Sequence, residues 1–423
     1  MKNIITILVL LAFSFGMEAQ HAKSVILIYL DGGPSQTDTF DPKPGASRDI
    51  SGNFKDPIQT NVPGIMISQK LPLLAKMADK YSLIRSMTHG IGGHETAHYA
   101  MITGDLSGGA IVYPSYGSAI SYLKKDTYKG VLPPYISLVS ANNRFNEGGF
   151  LGNDYKSFDT SGAPENAVFE VDGFVNKFVK PDMLKSRLDL LSGFEKSNQL
   201  FKNTVNSSLL DSLRQRNNEL IVGKTAQVFD LSTESKEMCQ RYGMTRVGQS
   251  CLEARKLVEA GVLFINVRTT GWDTHKSHFE RMNIMLPELD KALSALLSDL
   301  DEKGLLDSTI VLCGGEFGRT PKVLWEAPWN GGRGHFSQAF SYLVAGGGFI
   351  PGKVIGATDK TGENITERKV YPCDLIGTVY LLLGIDPQGT LPHISEGKLA
   401  LLPSLGKVNQ SNGLLYELID LKK

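Results

Sequence analysis

Five of the chain's eight histidines fall in three short stretches, each with chemistry beside it. The first, "GGHETAHYAMITG" (92–104), places His94 and His98 four residues apart. On a helix beginning near His94 the two would share one face, and a helix N-terminus favours an anion. Such a pair of imidazoles could bind a metal, bind an oxyanion, include a nucleophile, or simply pack. Thr96, in the first turn, reads either as a capping residue or as an activated hydroxyl.

The second stretch, "GWDTHKSHF" (271–279), alternates Asp273 and His275 with Trp272 and Thr274. Asp-x-His on an extended chain sends two ligand types to one side. His278 is a third ligand or an exposed start to a helix. In "GGEFGRTP" (314–321), Glu316 follows a glycine pair at a strand end, and Arg319 could hold an anion in bidentate fashion or pair with Glu316. The third stretch, "NGGRGHFSQ" (330–338), sets His335 in a glycine-rich loop after Arg333.

The elements that must position these residues read as alternating strands and helices. "SVILIYLDGG" (24–33) is an apolar run ending in Asp31 and two glycines, the pattern of a buried central strand opening into a loop. "YSLIRSM", "PPYISLVS", "VLFINVR", "STIVLCGG" and "FSYLVAGGG" read as further strands. "ETAHYAMITG", "SCLEARKLVEAG", "MLPELDKALSALLSDLDEKG" and "PCDLIGTVYLLLGI" read as helices. This alternation predicts an α/β fold, a doubly wound and mostly parallel sheet with helices on both faces. Asp31, Asp273 and Glu316 all follow strand runs, so they would meet in the crevice beyond the strands' carboxyl ends.

The 423 residues carry 44 Lys plus Arg against 44 Asp plus Glu, and this neutrality gives no pull towards nucleic acid or anionic lipid. Residues 1–20 have the lysine and short apolar run of a secretory signal peptide. The remainder, 21–423, reads as one domain with a polar, helix-prone insertion over 165–240. No later segment is apolar enough to span a bilayer, so a periplasmic or secreted protein is expected. Cys239, Cys251, Cys313 and Cys373 fit no zinc-finger spacing; they allow three pairings, and the sequence does not single one out. Neither the oligomeric state nor the substrate is readable from the residues.

Six segments in order, "GGPSQTDTFDPKP", "NVPGIMISQKLPLLAKMADKYSLIRSM", "HETAHYAMITG", "GWDTHKSHF", "GGEFGRTP" and "GRGHFSQAFSYLVAGGG", resemble the bacterial domain-of-unknown-function family 1501. That family is placed in the alkaline-phosphatase-like superfamily. The resemblance runs from about residue 24 to about residue 390. It implies a doubly wound sheet, a divalent-metal site at the strand ends, and hydrolysis of phosphate or sulfate esters, with glycan esters among the candidate substrates. His94 falls where sulfatases and phosphodiesterases carry the nucleophile, and His98 where sulfatases carry an arginine; the formylglycine signature is absent. Carried over residue by residue, Asp31 or Asp38, Asp273, His275, Glu316 and His335 become metal ligands. His94, Thr96, His98 and Arg319 become catalytic candidates. Zn²⁺ or Mn²⁺ suits such mixed ligands, as one or two ions. The alternative is a catalytically decayed extracytoplasmic ligand-binding protein on the same fold.

Overall fold

The computed structural model describes residues 21–106, 108–138, 148–160, 162–165 and 224–420, with isolated positions between 171 and 190. The expected signal peptide (1–20) and most of the expected insertion (165–240) lie outside the described residues. The insertion's described end includes a helix, Lys236–Tyr242.

Eight strands form the main sheet: β1 (Ser24–Leu30), β2 (Tyr81–Met87), β3 (Tyr135–Leu138), β4 (Phe158–Asp159), β5 (Phe264–Thr269), β6 (Thr309–Gly314), β7 (Phe340–Ala345) and β8 (Val354–Ile355). Their spatial order is β8-β2-β7-β6-β1-β5-β3-β4. All pairs are parallel except those made by β7, which runs antiparallel to both β6 and β2. The sheet is therefore mostly parallel, and β1 sits at its centre, every residue buried.

The apolar runs explain that centre, because a strand covered on both sides must be apolar at both phases of its pleat. Ile26, Ile28 and Leu30 pack on one side with α3 (Arg246–Glu259) and α4 (His278–Glu302). Val25, Leu27 and Tyr29 pack on the other with α1 (His94–Thr103), α2 (Tyr116–Leu123) and α5 (Pro372–Leu382). Each fully buried leucine in these layers contributes about 1.5–3 kcal/mol. The sheet is doubly wound, as the alternation predicts. No helix among the described residues is long and apolar enough to cross a membrane.

Strand direction decides what meets at the carboxyl edge. β1, β2, β5 and β6 all end there, delivering the segments that begin at Asp31, Thr88, Thr270 and Gly315. Because β7 runs the other way, the loop that precedes it arrives at the same edge, with Phe340 paired to Met87 at the end of β2. That reversed strand brings His335 to residues from the earlier loops.

Candidate metal centre at the strand ends

α1 begins at His94 and stops at Gly104, which takes the left-handed conformation that a helix end favours. Its first residue projects over the sheet edge. His94 Nδ1 donates to Glu316 Oε1 at 2.6 Å, and His94 Nε2 lies 3.4 Å from Asp273 Oδ2. Asp273 and His275 leave β5 on an extended stretch whose alternate residues, Trp272 and Thr274, are buried. The Asp-x-His alternation thus sends its two donors outward together, as expected. Gly32 makes their approach possible: its φ is +110°, and a Cβ there would stand 2.3 Å from the Asp273 backbone nitrogen.

His335 completes the cluster. Its Nδ1–H donates to the Gly92 carbonyl at 2.8 Å, which turns Nε2 towards Asp273 Oδ1 (3.3 Å) and His275 Nε2 (2.9 Å). His275 Nε2 is itself 3.0 Å from Asp273 Oδ1. Two imidazole nitrogens that close must share either a proton or a cation. Ligand atoms around a four-coordinate zinc stand about 3.3 Å apart, given bonds of about 2.0–2.1 Å. One donor atom each from His94, Asp273 and His335 lies within 4.8 Å of the other two, so the residues present fit a divalent cation.

Charge is arranged around this cluster. Burial alone would raise the Asp273 carboxyl, but Arg319 overcomes this and holds it below the usual range. The bond to Glu316 raises His94, and burial lowers His275. Asp31 reaches the same edge, yet its Oδ2 accepts from Arg268 at 2.6 Å. Burial leaves the Asp31 carboxyl raised despite that arginine.

Other expected site residues have partners of their own. Glu316 is wholly buried beneath the cluster, where its carboxylate accepts from His94 and from Gly32 N–H (2.9 Å). That bond fixes the orientation of the His94 ring. Arg319 is equally buried: it donates to the carbonyls of Gly32, Gly33 and Arg333 and to Asp273 Oδ1 at 2.6 Å. Its fork is committed to those four oxygens, that of Asp273 among them. Asp38 belongs to a separate buried group, 2.8 Å from Arg333 Nε and 2.9 Å from His278 Nε2. Burial would raise Asp38, but Arg333 and His278 bring it down to about 2. Asp38, Arg333 and His278 therefore brace the loops.

His98 does not share the site with His94. It is buried edge-on against Tyr29, and burial drives its pKa well down. Thr96 is exposed, with its hydroxyl donating to the Gly93 carbonyl at 3.2 Å. All four cysteines are free thiols.

Two contributors escape the sequence reading. Arg268 is the penultimate residue of β5, and nothing in its spacing marks it. His89 donates through Nε2 to the Glu316 carbonyl at 2.6 Å and accepts through Nδ1 from Ile91 N–H. It is a lone histidine after a strand, with no second ligand type near it.

No curated protein matches the chain. Among solved structures, similar ones include a Bacteroides thetaiotaomicron protein studied in the metabolism of multiple glycosaminoglycans, 11% identical, covering 95% of this chain and 77% of that one, TM-score 0.42. The phosphonate monoester hydrolase SpPMH from Silicibacter pomeroyi is 10% identical over 87% of this chain and 74% of its own, TM-score 0.40. The lipoteichoic acid synthase LtaP from Listeria monocytogenes is 11% identical over 90% and 75%, TM-score 0.39. The model of the protein family of unknown function DUF1501 matches residues 22–401, nearly the whole described chain, and the protein belongs to that family.

Proposed function

We propose that the chain is an extracytoplasmic, metal-dependent hydrolase of phosphate or sulfate esters. The observation that carries this reading is the convergence of His94, Asp273 and His335, from three separate loops, within 4.8 Å of one another. The secretory character of residues 1–20 supports the location, and the mixed imidazole and carboxylate set suits Zn²⁺ or Mn²⁺.

A cation held there would act as a Lewis acid towards the ester's oxygens. The chain's own residues do the rest. Glu316 fixes the His94 ring by taking its Nδ1–H, and Gly92 does the same for His335. Remote partners of this kind set which nitrogen of a histidine faces an ion. His275 stands beside the three donors with its Nε2 at the rim, more than a third of its side chain exposed. Its exposed Nε2 is placed to take the proton of the attacking water. The first-turn N–H groups of α1, with Gly93 as an N-cap that offers no side chain, favour the anionic group of the ester.

Elemental analysis of purified wild type and of four alanine variants tests this. The expected result is one Zn or Mn per chain, lost in His94→Ala, Asp273→Ala and His335→Ala; retention in His275→Ala would make His275 the base, and loss there would make it a further ligand. Hydrolysis of aryl phosphates or sulfates should be abolished in all four. A wild-type chain that takes up no divalent metal under any loading condition would sink the proposal in favour of a ligand-binding protein.

A further inference from the structure

The loop before His335 carries two tryptophans in different situations. Trp325 is anchored: its ring stacks on Phe279 at 5.7 Å and lies under the Arg48 guanidinium at 4.4 Å, and its Nε1 donates to Asp49 Oδ1. The turn that follows is tied by Trp329 N–H and Asn330 N–H to the Glu326 carbonyl, and by Gly331 N–H to that of Leu324. Ser277 N–H donates to the Trp329 carbonyl, fixing this loop to the start of α4. With its neighbour clamped, Trp329 is held at the rim of the candidate metal centre. Its ring is half-buried, tilted by 47° and centred 6.4 Å from the His275 ring.

We infer that Trp329 is a substrate-binding residue, the flat wall against which the organic ring of the ester lies while its anionic group meets His94, Asp273 and His335. This rests on the hydrolase reading above and deepens it by naming the substrate class: an ester whose alcohol is a six-membered ring. An indole face gives apolar area and a π-surface at low entropic cost, because two torsions fix it. It suits the C–H face of a sugar or the face of an aryl group. A small acyclic ester would leave it uncovered.

Calorimetric titration of the metal-loaded protein tests this, with inorganic phosphate, glycerol 3-phosphate, glucose 6-phosphate and phenyl phosphate as probes. Wild type should prefer the two ring-bearing esters over the acyclic one, and the sugar and aryl arms identify the favoured ring. Trp329→Ala should weaken the ring-bearing probes by about threefold to tenfold. Its affinity for inorganic phosphate and its metal content should stay unchanged. Trp329→Phe, which keeps an aromatic face, should recover much of the loss. A ring preference that survives Trp329→Ala, or no such preference in wild type, would overturn the assignment while leaving the hydrolase reading intact. Failure of wild type to hold metal or inorganic phosphate would refute both.

Discussion

Glu316→Gln separates a carboxylate that orients a ligand from one that is a ligand. The side chain is wholly buried, and its Oε1 accepts from His94 Nδ1 at 2.6 Å and Gly32 N–H at 2.9 Å, with Oε2 3.2 Å from the same N–H. Glutamine matches the shape, but each way of placing its amide has a cost. With the oxygen at the Oε1 position, both bonds persist as neutral ones and an NH₂ faces the Gly32 N–H. With the amide reversed, the NH₂ donates to His94 Nδ1 and moves the ring proton to Nε2, where it blocks coordination. Losing the charge assistance or the tautomer predicts a fall in metal affinity of about 10- to 100-fold. That corresponds to about 1.4–2.8 kcal/mol. Competition with a chromophoric chelator measures it directly, and circular dichroism confirms that the variant is folded. An affinity within twofold of wild type would refute the orienting role. A loss as complete as in Asp273→Ala would make Glu316 a direct ligand. The same pair has a pH signature in the metal-free chain. Glu316 raises His94 above the ordinary 6.5, so the pair's stabilisation is full below that value and fades as pH rises through the folded pKa. The stability gap between wild type and Glu316→Gln should therefore be wider just below pH 6.5 than above the folded His94 pKa.

Asp38→Ala should cost about 3–5 kcal/mol in urea denaturation, because it strands Arg333 and His278 in the interior, while metal content of the folded variant stays at the wild-type level. Asp38 sits at about 2 against an ordinary 3.8, so its contribution should hold above 3.8 and be lost as pH falls through about 2. Gly32→Ala forces a Cβ to 2.3 Å from Asp273 N, so stability should fall by about 1–3 kcal/mol and metal affinity should fall with it, as paired melts and chelator titrations would show. Thiol titration of denatured, unreduced protein should count four free cysteines; fewer would reveal a disulfide.

What could be read in advance was whatever depends on local pattern. Continuous apolar runs announced buried strands, Gly104 announced a helix end, and alternation in "GWDTH" placed Asp273 and His275 on one side of an extended chain. Residue types near strand ends were enough to name His94, Asp273, His275 and His335, the side chains that converge. The six-motif resemblance gave the family, which the match over residues 22–401 bears out.

Only the folded chain assigned partners, because charge pairing and burial join residues hundreds of positions apart. Asp31 and Arg268, or Asp38 and Arg333, have no sequence signature as pairs, since β-sheet neighbours are set by strand order. Glu316 and Arg319 carry the residue types of a ligand and an anion grip. Burial, decided by the layers above and below them, sets both beneath the cluster with His94 and Asp273 as partners. His98 lies one helical turn from His94, yet the packing of α1 on Tyr29 sends it into the core. The direction of β7 is the largest such decision: reversing one strand in an otherwise parallel sheet brought the His335 loop to the edge where the other donors end.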